Sequence, residues 1–103
     1  MTFDGTNLWV ANTGAPTVSV VRADTGALVA TVSGNGLAVP ALAAFDGERI
    51  LVANAGAVSV SLFRAADLAS LGNVPGVDGS PCTDGLNFWL TSVQNNTAVL
   101  QRF

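Results

Sequence analysis

One stretch of this chain, Phe3-Asp4-Gly5-Thr6-Asn7-Leu8-Trp9-Val10-Ala11-Asn12, returns further on as Phe45-Asp46-Gly47-Glu48-Arg49-Ile50-Leu51-Val52-Ala53-Asn54. A third, more altered copy runs Thr83-Asp84-Gly85-Leu86-Asn87-Phe88-Trp89-Leu90-Thr91-Ser92. Aligned without a gap, residues 3–23 and 45–65 agree at 12 of 21 positions. In every copy the same interval separates the Asp of an Asp-Gly pair from an Arg: Asp4 from Arg22, Asp46 from Arg64, Asp84 from Arg102. A chain that repeats itself every forty-odd residues builds stacked units, each covering the apolar side of the next. The copies divide a single segment, 1–103, into repeats of about 1–35, 36–76 and 77–103.

Each copy reads as strand, turn, strand. Asp-Gly between apolar runs is the strongest short-range hairpin signal. It predicts a strand ending at Phe3 or Phe45 and a return strand over Asn7–Asn12 or Arg49–Asn54. After a loop, Thr17–Arg22 and Ser59–Arg64 alternate apolar and polar residues with the period of two that a strand requires. A fourth strand follows over Ala27–Val32 and Ala69–Val74, the latter weakened by Gly72. Ala65–Leu71 also fits one helical turn. Pro40–Phe45 leads into the second Asp-Gly pair. Its counterpart Pro81-Cys82-Thr83 is shorter, so that strand is either clipped or built differently. The fold class expected is all-β: β-propeller blades of four antiparallel strands, about 2.7 of them in this chain, because four short strands per repeat is blade spacing.

The first-copy phrases, Phe3–Asn12, Thr17-Val18-Ser19-Val20 and Asp24–Val32, resemble the YVTN-type and virginiamycin B lyase-like propeller repeats. The resemblance covers nearly the whole chain. It implies a propeller segment that acts as a non-enzymatic binding or scaffold module, its ligand unknown. It also leaves open a fragment of a lyase-like propeller enzyme whose catalytic residues lie outside this chain. Members of that family carry some six or seven blades in one chain, and the lyase is thought to use a histidine; this chain has under three repeats and no His.

Composition narrows the partners. Half the residues are apolar, 11% are charged, and the net charge is −3 with no His. Arg22, Arg49, Arg64 and Arg102 are the only cations. Nucleic-acid binding draws on neutralised phosphates, so neither nucleic acid nor an anionic membrane is expected as a partner. No apolar run approaches the ~20 residues of a membrane-spanning helix. The single Cys82 permits no intrachain disulfide and reads as a small, half-buried core residue. Open apolar faces at the ends of a short stack point to the chain itself as partner, head to tail, or to missing blades of a longer chain.

Candidate site residues fall into two groups. Asn12, Asn54 and Ser92 end the second strand of each repeat, on the side shared with the loops around Asn35 and Asp78. They are the ligand-binding candidates, for a polar small molecule, glycan or peptide, set against simple turn formation, which explains them more readily. The Asp4/Arg22, Asp46/Arg64 and Asp84/Arg102 pairs share the opposite side. They read as structural ion pairs, within a repeat or across to the next, with each Asp capping its own turn. Trp9 and Trp89 are interchangeable with Leu51, which places them between blades. For catalysis, Cys82 lacks a base. The neighbouring carboxylates Asp46 and Glu48, and Asp78 and Asp84, sit in turns. No catalytic residue, metal or cofactor is expected.

Overall fold

The three Asp-Gly pairs make the same turn. Gly5, Gly47 and Gly85 take φ values of 96°, 103° and 93°, a region glycine enters freely and side chains avoid. Each turn is closed by its Asp amide: Asp4 to the Asn7 carbonyl at 3.0 Å, Asp46 to Arg49 at 3.1 Å, Asp84 to Asn87 at 3.3 Å. From these turns the strands follow. A computed structural model describes residues 1–56, 59–75, 81–94 and 97–102. The described residues form strands and no helix.

The first sheet comprises β1 (Thr2–Phe3), β2 (Asn7–Asn12), β3 (Thr17–Arg22) and β4 (Leu28–Ser33), hydrogen-bonded in that order. The second comprises β5 (Pro40–Phe45), β6 (Arg49–Asn54), β7 (Ser59–Arg64) and β8 (Ser70–Pro75), again in order. The third contains β9 (Cys82–Thr83), β10 (Phe88–Gln94) and β11 (Thr97–Arg102). All these pairings are antiparallel. The alternating pattern of Thr17–Arg22 and Ser59–Arg64 thus becomes the third strand of its sheet. The helical alternative over Ala65–Leu71 is not taken: residues 65–67 turn and β8 begins at Ser70. The strand at Pro81-Cys82-Thr83 is the clipped form, two residues long.

The repeat extends to irregularities. A register shift sits between Val20 and Val21 against β4, and another between Leu62 and Phe63 against β8. These positions correspond when the first two copies are aligned. The turn after each third strand is also shared: Gly26 donates to the Arg22 carbonyl and Leu68 to that of Arg64, both with positive φ. Leu68 accepts a backbone conformation that disfavours its side chain. In return it packs against the core.

The sheets stack face to face in chain order. Trp9, Val18 and Val20 of the first sheet meet Ile50, Val52 and Phe63 of the second, with Leu37 from the connecting loop. The Trp9 and Phe63 rings lie 6.0 Å apart, tilted by 36°. The other face of the second sheet, with Ala44, Leu51, Ala53 and Val60, meets Phe88 and Leu90 of the third. Period-two alternation sends Ile50 and Leu51 to opposite neighbours, which is why β6 is apolar on both sides. The first strands of the sheets approach one another, β1 to β5 and β5 to β9. Among the described residues, the fourth strands β4 and β8 make no comparable approach.

The third hairpin differs in register. In the first two sheets Asn12 pairs with Thr17 and Asn54 with Ser59. In the third, Gln94 pairs with Thr97 and Ser92 with Val99. Strand β10 therefore runs on past the repeat's usual end. Ser92 lies inside it, not at its end, and Arg102 stands opposite Trp89 rather than Asn87. Cys82, expected half-buried, is exposed: opposite Trp89, it stands on the face of the third sheet turned away from the second.

The stacking makes a direct prediction for stability. Phe63→Ala empties a fully buried position and should cost ~3–5 kcal/mol. Val21→Ala, at the matching place on the half-exposed face of the first sheet, should cost under about 1 kcal/mol. Urea unfolding of the two variants should separate them clearly; equal midpoints would mean that the second sheet is not covered by the first.

Candidate functional site

The stack has two ends, and the chain treats them differently. At the turn end, both oxygens of each Asp carboxylate accept hydrogen bonds. Asp4 Oδ1 accepts from the Thr6 and Asn7 amides at 2.9 and 2.6 Å, and its Oδ2 accepts from the Trp9 indole at 2.9 Å. Asp84 repeats this with the Leu86 and Asn87 amides at 2.9 and 2.8 Å and the Trp89 indole at 3.0 Å. In the middle copy Leu51 replaces Trp and has nothing to donate. There Asp46 Oδ1 takes the Glu48 and Arg49 amides, and Oδ2 takes the Arg49 guanidinium at 2.7 Å. Arg49 also lies over the Phe88 ring, 5.2 Å from its centre.

These bonds favour the charged carboxylates. Burial works to raise the Asp4 pKa, but the Asn7 amide, the Trp9 indole and the Thr6 amide outweigh it and hold it below the usual carboxylate value. Burial likewise opposes the charge on Asp46, and the Arg49 and Glu48 amides with the Arg49 side chain overcome it. Exposed Asp84 is lowered to about 2, chiefly by the Trp89 indole and then by the Asn87 and Leu86 amides. Turn capping is therefore the role of all three.

The Asp–Arg pairs expected from the constant interval are not the pairs formed. Arg22 reaches Asp24 at 3.3 Å and Arg64 reaches Asp67 at 3.4 Å, both in exposed pairs. Such pairs add little stability. The reason is reach: Asp4 and Asp46 are held by donors in their own turns, while the following turn offers each Arg a nearer carboxylate. Asp46 is paired, but with Arg49. Arg102 ends β11 beside Trp89.

Between neighbouring turns lie clefts. One of about 360 Å³ separates the first and second sheets and is lined by Asp4, Asn7, Phe45, Glu48, Arg64 and Ala65, among others. It brings Asp4 of one repeat and Arg64 of the next to the same opening. A second cleft, of about 450 Å³, lies between the second and third turns, with Glu48, Arg49 and Leu86 among its walls. Glu48 belongs to both. Sequence reasoning misses these clefts, because nothing in a turn motif reveals the gap between two turns.

At the other end, the side-chain nitrogens of the Asn candidates are occupied by the fold. Asn12 Nδ2 donates to the Thr17 and Ser19 hydroxyls at 3.1 and 2.8 Å. Asn54 Nδ2 donates to Ser59 and Ser61 at 3.2 and 3.0 Å, and its Oδ1 accepts from the Ala38 amide. Asn35 donates to the Leu62 carbonyl at 3.0 Å and its own carbonyl accepts from Ser61. Asn73 adds contacts to both serines. Asn54 and Asn35 thus meet through Ser61, in a polar brace that ties the connecting loop to the second sheet. Asp78 lies outside the described residues, as does the side chain of Ser92.

No protein-family model matches this chain, and a search of curated proteins returns no match.

The lowered carboxylate pKa values set a pH dependence. Groups depressed in the folded state stabilise it fully above their unfolded pKa, near 4, and lose that contribution as pH falls through the folded value. Unfolding midpoints should stay level above about pH 5 and fall from there toward pH 2. Asp84→Asn should lower the midpoint at pH 7 and flatten this acid slope, since its pKa is about 2. A variant with an unchanged slope would show that the turn carboxylate does not contribute.

Proposed function

We propose that this chain is a run of β-propeller-type blades serving as a non-enzymatic binding scaffold. The observation that carries this reading is the stack itself: two equivalent four-stranded sheets and a three-stranded one follow each other in chain order, with first strands convergent and the described fourth strands apart. The YVTN-like and lyase-like phrases of the first copy support it. Copies of the chain, head to tail, or further repeats of a longer chain complete the ring. The alternative of a lyase-like enzyme fragment draws on that resemblance alone. Asp4, Asp46 and Asp84 are committed to turn amides, and the sequence contains no His.

The ligand surface we assign is the turn-end cleft between the first and second sheets. Arg64 faces it from one repeat, and Asp4 and Glu48 stand at its other walls. Opposite charges across a small opening suit a small polar molecule carrying both an acidic and a donor group, such as an amino acid or dipeptide. A panel of amino acids, dipeptides and simple sugars, added to isotope-labelled chain, should shift the amide resonances of Thr6, Glu48 and Ala65, and Arg64→Ala should remove the shift. A panel that moves none of these signals would end the binding reading of this cleft. For ring closure by copies, sedimentation velocity should show concentration-dependent species larger than the monomer; a stable monomer at every concentration removes it.

A further inference from the structure

The first and second sheets carry the same polar comb, but only the second has a described loop laid across it. On the second sheet the Ser61 hydroxyl donates to the Asn35 carbonyl at 2.8 Å. The Asn35 side-chain amide donates to the Leu62 carbonyl at 3.0 Å, and the Ala38 amide donates to Asn54 Oδ1 at 3.2 Å. Leu37 is buried with Ile50, Val52 and Phe63. The loop segment from Asn35 to Ala38 is thus held by these hydrogen bonds and an apolar anchor. The loop's shape is demanding: Gly34, Asn35 and Gly36 have φ of 78°, 51° and 74°. Glycine and asparagine are the residues that tolerate this.

The first sheet repeats most of that seat, with Thr31 standing where the second has Asn73. Asn12 holds the Thr17 and Ser19 hydroxyls as Asn54 holds Ser59 and Ser61. Leu8, Val10 and Val21 stand at the positions of Ile50, Val52 and Phe63. The register shift at Leu62/Phe63 recurs at Val20/Val21, and such bulges leave ladder groups locally unpaired. Burial is what differs. Ile50, Val52, Asn54, Ser59, Ser61 and Phe63 are buried, whereas their first-sheet counterparts are all half-exposed.

We propose that this face of the first sheet is a docking seat for a polypeptide loop of Asn-Gly-Leu-Ala chemistry, supplied in trans by another segment of the same repeat type. The Ser19 hydroxyl donates to the backbone carbonyl of the loop Asn. The Val20 carbonyl accepts that Asn's side-chain amide, and Asn12 Oδ1 accepts the backbone amide of the loop Ala. The loop Leu enters between Leu8, Val10 and Val21. The occupant is a loop because the interface within the chain that uses these same residues holds one, and the first sheet continues that interface by one repeat. The inference rests on reading the repeats as equivalent stacking units. It makes no use of the turn-end cleft, so a failed ligand panel leaves it intact.

The experiment uses the full chain with a second copy of the segment 33–39 joined ahead of Met1 by a flexible Gly/Ser linker, which raises its local concentration. The resonances of Leu8, Val10, Asn12, Ser19 and Val20 should shift relative to a fusion whose added segment carries Asn35→Ala. Ser19→Ala should reduce the bound population ratio about tenfold, and Ser19→Thr, which keeps the hydroxyl, should restore it. Because Ser19 is half-exposed, the variant is expected to fold; an unchanged strand spectrum by circular dichroism checks this. Equal shifts from the Asn and Ala segments, or indifference to Ser19→Ala, would overturn the proposal. Shifts that depend on chain concentration and are equal for the Asn and Ala segments would give the face to a contact between copies made by other residues, and overturn it as well.

Discussion

A carboxylate that accepts hydrogen bonds from two turn amides and a side chain just beyond them is a fixed point, and this fold has one at the head of each sheet. Asp4, Asp46 and Asp84 each close a turn in this way. In two copies the side-chain donor is a tryptophan indole on the following strand. The same ring therefore anchors the turn with its polar edge and, for Trp9, fills the core with its body. Where the middle copy has Leu51, the donor is recruited from Arg49 instead. The acceptor is kept and the donor is exchanged. Sheet geometry follows from the turn, and stacking follows from sheet geometry.

The opposite end is held by a different device. Asparagine and paired hydroxyls form a comb along the second and third strands, and in the second sheet the connecting loop is hydrogen-bonded into it. The buried Asn54 and Ser61 are satisfied, as buried polar groups must be. Gly36 passes so close to Asn73 that any Cβ there would collide with its side chain. Sheet faces that would otherwise be interchangeable apolar surfaces thereby acquire a register and a direction.

Much of this is legible in the residues. Period-two alternation in Thr17–Arg22 and the Asp-Gly pairs place the strands nearly to the residue, and Trp9 and Leu51 are packed as their interchange implies, whereas Trp89 stands half-exposed on the outer face of the third sheet. The partners are harder to read. An Asp and an Arg at constant separation suggest a pair, yet local amides and nearer carboxylates satisfy both first, at shorter range than any repeat-length pattern can see. Asn12 and Asn54 resemble ligand groups because their type and position fit. Their engagement depends on hydroxyls across a hairpin, on the facing strand. The clefts exist only between copies, where no single motif can describe them.

The slip in the third hairpin has a consequence for how such chains change length. Moving one strand along another by an even step leaves each side chain on its original face, so Phe88 and Leu90 still meet the second sheet. A displacement by one would have turned the oily row toward solvent and the polar row inward. Evolutionary drift in these hairpins is thus filtered by parity: even steps preserve the lamination, odd ones dissolve it.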